Sequence, residues 1–357
     1  MKKLLILLGA ISVVNMAFAG GKEDDIPRDI IVEEIIREVP VYRDNSNGGY
    51  IDFYYEWRGK SSAHKKRGGH RDYLTSNYGF LHLEGEANLT EKQTIYFEVE
   101  DFSAWNSPKT NDYWETEDDH TDLTLEYTYQ HDFLGEMASK LIYKNNDSSD
   151  GGEVEGNVLE YQAQWNFAER LFNNDFIKTT DFIIAPKIGY NWERNQFGST
   201  HYHDSYFGVD LYSTYELPWN FELEFNLYLT QHNYNERLAE NKKKNFTASL
   251  ELYLFNTTPI IEGDKATLSF YFEGGYDPFT YSQRKIFAHD VIDNDEDEKT
   301  AYTVYALPGL RVDYQATDNV NLYGIAGARM ENIHTTGCEV QGWEWQPVAQ
   351  VGFKVTF

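Results

Sequence analysis

The sequence predicts an all-β protein: a transmembrane antiparallel β-barrel of about 14 strands with short periplasmic turns and longer external loops. Three observations predict it. Apolar and polar residues alternate over about ten positions at a time, the length a tilted strand needs to cross a bilayer. Such segments recur along the whole chain, and the last of them carries an aromatic comb that ends on the final residue, Phe357.

The N-terminus reads as an export signal. Lys2 and Lys3 form a short basic region, Leu4 to Val14 an apolar stretch, and Ala17-Phe18-Ala19 a small-x-small motif. This is the layout of a secretory signal peptide over residues 1–19, cleaved after Ala19, and its apolar stretch is too short to span a bilayer as a helix. Residues 20–48 precede the barrel. Ile31, Val32, Ile35, Ile36 and Val39 fit one face of a short helix that Pro40 would end, and a linker fits the same residues equally well.

The barrel is expected over residues 49–357. Its clearest strand is Phe221 to Thr230, where Phe221, Leu223, Phe225, Leu227 and Leu229 alternate with Glu222, Glu224, Asn226, Tyr228 and Thr230. Phe246 to Leu254 and Leu81 to Leu89 repeat the pattern, and a helix would smear each set around its whole circumference. Strands are expected near 49–58, 74–89, 94–103, 121–132, 137–145, 157–168, 181–194, 204–217, 220–232, 245–256, 265–277, 301–315, 320–331 and 344–357. Thr90-Glu91-Lys92-Gln93, Leu217-Pro218-Trp219-Asn220 and Ala316-Thr317-Asp318-Asn319 read as tight turns. Short and long gaps alternate, and the long, polar connections near 104–120 and 278–300 are expected outside the cell. In the last strand Trp345, Pro347, Ala349, Val351, Phe353, Val355 and Phe357 share one parity. Phe353, Val355 and Phe357 are therefore the expected assembly signal, and the barrel-assembly machinery its reader.

Composition narrows the function. A mean hydropathy of −0.61 combined with 16% aromatic residues is unusual for a soluble globule. It is expected of a barrel, where alternate residues meet lipid and aromatic girdles mark both interfaces. The formal charge of −27 argues against nucleic-acid binding, which requires a basic surface. Cys338 is the one cysteine, so no intrachain disulfide forms.

By its segments the chain resembles the FomA-type major outer-membrane porins of fusobacteria. The resemblance is carried by Pro40-Val41-Tyr42-Arg43-Asp44, Thr90-Glu91-Lys92-Gln93-Thr94, Trp219-Asn220-Phe221, Glu273-Gly274-Gly275-Tyr276-Asp277, and Thr317-Asp318 followed by Leu322-Tyr323. It extends to Trp343-Glu344-Trp345-Gln346-Pro347 and Lys354-Val355-Thr356-Phe357. It implies a water-filled, trimeric channel in the outer membrane, beside lipopolysaccharide, passing small hydrophilic solutes. It also implies surface adhesion to a host, although the external loops diverge. It brings no catalytic residue and no cofactor.

Parity assigns the lining of such a channel. Glu84, Glu86, Glu98, Glu100 and Glu126 point inward, as do Asp210, Glu216, Glu222, Glu224, Glu251 and Glu273. The opposing inward cations are Lys187, Arg311, Arg329 and Lys354, so a mild cation preference is expected. Inward Tyr212, Tyr228, Tyr253 and Tyr271 keep a sugar-specific channel open as an alternative. An enzyme reading rests on His203-Asp204-Ser205, whose His-x-Ser pair is similar to that of outer-membrane phospholipase. Both residues share the outward parity of Phe207 and Val209, and Leu217 stands where the lipase pattern has Asn, so no enzyme is expected. His201, His203 and Asp204, or the run Asp293 to Glu298, hold ligand types without the spacing of a dedicated metal site.

Overall fold

The computed structural model describes residues 48–59, 78–102, 120–132, 137–148, 156–196, 199–235, 242–284, 299–335, 338–339 and 343–357. The expected signal peptide, residues 20–47 of the segment after it, and most of the two long external connections lie outside these residues.

Among the described residues fourteen long strands form a closed antiparallel barrel. They are β1 (Gly49–Arg58), β2 (Tyr78–Thr90), β3 (Gln93–Phe102), β4 (His120–His131), β5 (Met137–Ser148), β6 (Gly156–Asn166) and β7 (Ile177–Gln196). They continue with β8 (Ser199–Leu217), β9 (Phe221–Tyr234), β10 (Lys244–Glu262), β11 (Ala266–Ser282), β12 (Thr300–Thr317), β13 (Val320–Thr335) and β14 (Glu344–Thr356). Each pairs antiparallel with its neighbour in sequence, and β1 pairs with β14 from Tyr50↔Thr356 to Arg58↔Val348. At the seam Gly49 N–H donates to the Phe357 carbonyl at 2.8 Å and Phe357 N–H to the Gly49 carbonyl at 3.0 Å. The sheet thus closes and leaves no edge, which is what a strand protein in hydrocarbon requires.

Register keeps the two faces separate. Phe225 lies opposite Leu252, and Asn226 opposite Glu251, so apolar residues meet apolar ones on one side and polar meet polar on the other. A slip of one residue would invert every pair. The apolar parity faces out: Ile188 is 61% exposed, Phe207 56% and Val351 62%, whereas Asp210 and Gln162 on the other parity are 1% and 2% exposed.

The tight turns are built by side chains. Thr90 Oγ1 accepts from the Lys92 N–H at 3.2 Å, and Thr317 Oγ1 accepts from the Asn319 N–H at 3.3 Å. Trp219 and Asn220 adopt left-handed φ values of 63° and 59°. Asparagine tolerates this well, while tryptophan loses roughly 1 kcal/mol or more there. The Asn256 amide holds the turn by donating to both of their carbonyls, at 2.7 and 3.0 Å.

The connections on either side of β7 break the alternation of short and long gaps. A loop was expected between 194 and 204, yet β7 runs to Gln196 and β8 begins at Ser199, leaving only 197–198 between them. These strands have 20 and 19 residues, well beyond the ~9–11 that cross a bilayer. Glu193 to Gln196 and Ser199 to His201 are all polar, so the two-residue pattern is absent there and the sequence stops announcing a strand. At the opposite end, residues 167–176, most of which fall in the gap between the strands expected near 157–168 and 181–194, hold a 3-10 turn, Ala168–Arg170, and a two-residue ladder, Asn173–Asn174. Strand β11 likewise runs to Ser282, into residues expected to be loop.

Candidate functional site: the barrel interior

Cross-strand partners share a face, so a chain of pairings traces the interior. Glu84 lies opposite Glu98, and Tyr96 lies between Glu86 and Glu126. Lys187 lies opposite Gln162, Asp210 opposite Tyr228, Glu222 opposite Glu216 and Glu224 opposite Thr214. Glu251 faces Asn226, Glu273 faces Phe255, Arg311 faces Ser269, Arg329 faces Gln346 and Lys354 faces Asp52. Each lies on the parity opposite the exposed apolar residues.

Phenols dominate the polar contacts of this face. Tyr50 and Tyr96 donate to Glu84 at 3.4 and 3.0 Å, Tyr206 to Glu160 at 2.7 Å, and Tyr212 to Asp210 at 3.2 Å. Tyr228 donates to Glu251 at 2.7 Å, Tyr253 to Asp277 at 2.6 Å, and Tyr323 to Asp52 at 2.6 Å. Glu273 accepts from Tyr271 and, at 2.5 Å, from Tyr305. A phenol satisfies a carboxylate lone pair without cancelling its charge. The sequence marked several of these tyrosines as inward, but nothing in it tied their hydroxyls to particular carboxylates.

Two glycines make long reaches possible. Tyr206 lies beside Gly189, which lies beside Glu160, so its ring must cross a whole strand to deliver its hydroxyl. A Cβ at Gly189 would stand 2.1 Å from that ring. Tyr323 crosses Gly352 in the same way, where a Cβ would stand 2.6 Å from the ring. Only glycine leaves the room.

Inward cations are held beside carboxylates. Lys187 Nζ is 2.8 Å from Asp210 and 3.8 Å from Glu160, with the rings of Tyr206 and Tyr228 at 5.9 and 5.7 Å. Arg311 pairs with Asp313 and Arg329 with Glu331, both at 2.9 Å. Arg58 pairs with Glu56 at 2.5 Å, and Lys140 with Glu126 at 2.7 Å. Lys187, Arg311, Arg329 and Lys354 are therefore not the only inward cations among the described residues. Arg58 and Lys140 share the parity of Asp52 and Ile142, and that signal could have found them. The Gln162 amide joins Glu160 at 2.7 Å and Asp210 at 3.2 Å, packing the wall of β6 to β8.

The remaining motifs do not converge. His203 and Asp204 are consecutive in β8 and so face opposite sides, which separates two members of the expected ligand cluster. Asp204 instead accepts from Asn191 at 2.7 Å and lies 2.7 Å from His232 Nδ1. Ser205 is exposed on the outer parity, and Asn220 sits in the turn after Leu217, at the other end of β8 from His203. The acidic run 293–298 lies outside the described residues. His82, Glu84 and Glu98, which no sequence motif joins, place one ligand atom each within 4.8 Å of one another.

No protein-family model matches the chain, and no curated protein does. Among solved structures, a bacterial polysaccharide outer membrane secretin matches with 8% identity, 88% of this chain and 100% of that one, at a TM-score of 0.38. The outer membrane channel DcaP of Acinetobacter baumannii matches with 7% identity, 87% and 96% coverage, at 0.37. The anion-selective porin from Comamonas acidovorans matches with 11% identity, 87% and 99% coverage, at 0.34.

Proposed function

We propose that this chain is a porin of the outer membrane, similar to the FomA-type proteins, passing small hydrophilic solutes and ions by passive diffusion with a mild preference for cations. In this reading it is exported by its signal peptide, inserted by the barrel-assembly machinery, and works as a trimer among lipopolysaccharide. The observation that carries it is the interior of phenol-held carboxylates inside a closed, outwardly apolar barrel. A barrel of this strand number is wider than its side chains fill. Tyr228, Tyr253 and Asn226 are neutral donors, so their hydrogen bonds bring no positive charge to the carboxylates, whereas each paired cation offsets one carboxylate. The surplus negative charge raises the local cation concentration, and salt screens it within about 8–10 Å.

The test is planar-bilayer conductance with reversal potentials across a salt gradient. Cation preference that fades at high salt is expected. Anion preference at low salt would remove the charge argument, and an absence of conductance would remove the pore.

A sugar-selective channel is the second reading. It is favoured by the edge-to-face contact of Tyr212 and Tyr228, whose centroids are 5.8 Å apart, beside the Lys187 ammonium. Block of the conductance by one sugar at millimolar concentration would favour it over general diffusion.

A further inference from the structure

We propose that the inner wall formed by β2 and β3 binds a divalent transition-metal ion of the zinc class, held by the His82 imidazole and the Glu84 and Glu98 carboxylates. His82 Nε2 stands 3.4 Å from Glu84 Oε2 and 3.8 Å from Glu98 Oε1. Hydrogen bonds between charged partners close to about 2.7–2.9 Å, so these contacts are too long to be good ones. The shorter one matches the edge of a coordination tetrahedron instead, roughly 3.4 Å for metal–ligand bonds of about 2.0–2.2 Å, and the three ligand atoms all lie within 4.8 Å of one another.

Three further observations point to a ligand. His82 is 5% exposed, and its Nδ1, the ring nitrogen turned away from the site, faces the Glu100 carboxylate at 3.5 Å, the kind of partner that orients a metal-bound imidazole. Glu84 and Glu98 lie directly opposite each other across the ladder, and Asp52 lies opposite Glu84 on its other side. Like charges so placed are destabilising, and a cation between them removes the cost. The site is also supported from behind. Tyr54 stacks on the His82 ring at 4.8 Å with planes 8° apart, and Tyr96 donates to Glu84 Oε2 at 3.0 Å. Such outer contacts orient metal ligands before the metal arrives.

The donor set selects the class of ion. One imidazole with two carboxylates suits zinc-like ions, whereas calcium and magnesium prefer oxygen alone. The fourth position is left for water.

The experiment is calorimetric titration of the refolded full barrel, stripped with chelator, with Zn²⁺ in the presence of excess Ca²⁺. One Zn²⁺ per chain is expected. His82→Gln leaves every carboxylate in place, and should weaken binding by more than about tenfold. Co²⁺ bound to the unaltered protein supplies a second readout, since an intense visible band marks low-coordinate geometry. Binding is read on the folded barrel whether or not it conducts, so this site and the porin reading fail independently. Zn²⁺ binding that Ca²⁺ abolishes, or that His82→Gln leaves unchanged, overturns the site.

Discussion

The ring of Phe53 in β1 stacks on that of Phe353 in β14, with centroids 5.4 Å apart and planes 28° apart. The two residues lie directly opposite each other in the register that closes the barrel. One residue of the C-terminal comb is thus also a clasp on the seam. Phe353→Ala is expected to weaken the folded barrel by about 1 kcal/mol, read as a shift in urea unfolding from lipid vesicles. Unchanged unfolding would show that the stack does not secure the seam.

Deleting Phe357 should do more, because it removes both backbone hydrogen bonds to Gly49 along with the terminal aromatic. We expect protein retained in the periplasm and depleted from the cell surface, measured by surface labelling. Normal surface levels would exclude an assembly role for the comb.

Facing can be tested at one step of β9. Phe225→Arg should cost roughly 2–4 kcal/mol if that residue meets the bilayer midplane. Asn226→Arg should be mild, because Glu224 and Glu251 already accept from the Asn226 amide at 2.6 and 3.4 Å and would meet the new cation. Equal losses at the two positions in unfolding titrations would contradict the assigned faces.

Lys187 sits between two carboxylates, with Asp210 only 1% exposed. Replacing it with Met leaves a buried charge without its cation, a change that costs about 3–5 kcal/mol in buried pairs. The double substitution Lys187→Met with Asp210→Asn should recover much of that loss. If the single variant unfolds at the same urea concentration as the parent, the pair contributes little.

Gly189 and Tyr206 should be coupled. Gly189→Val forces the Tyr206 ring from its place and breaks the 2.7 Å bond to Glu160, an overpacking cost of about 1–3 kcal/mol. In combination with Tyr206→Ala the same valine should cost clearly less. Strict additivity of the two losses in a double-mutant cycle would disprove the close approach.

The fold was legible because a barrel wall has a strict cause for its pattern: each residue meets either the outside or the interior. Phe221 to Thr230 shows that pattern unbroken, and the turn at Thr317 to Asn319 announces itself through a local hydroxyl bond. The pairing of Gln196 with Ser199 was not legible, since Glu193 to Gln196 and Ser199 to His201 are all polar and carry no two-residue alternation. Individual lining residues such as Glu84 and Lys187 could be assigned a face from parity alone, but not a partner.

By itself the sequence determined which side of each strand is apolar and that an aromatic comb lies along the last strand. Those properties depend on residues one or two positions apart, where backbone geometry alone decides the outcome. Only the tertiary structure decided that Tyr206 reaches across Gly189 to Glu160, that Lys140 offsets Glu126, and that His82 lies among Glu84, Glu98 and Glu100. Such neighbours follow from the stagger between strands, and the stagger is settled jointly by closing the whole sheet on β1 and β14, which no local stretch of sequence records.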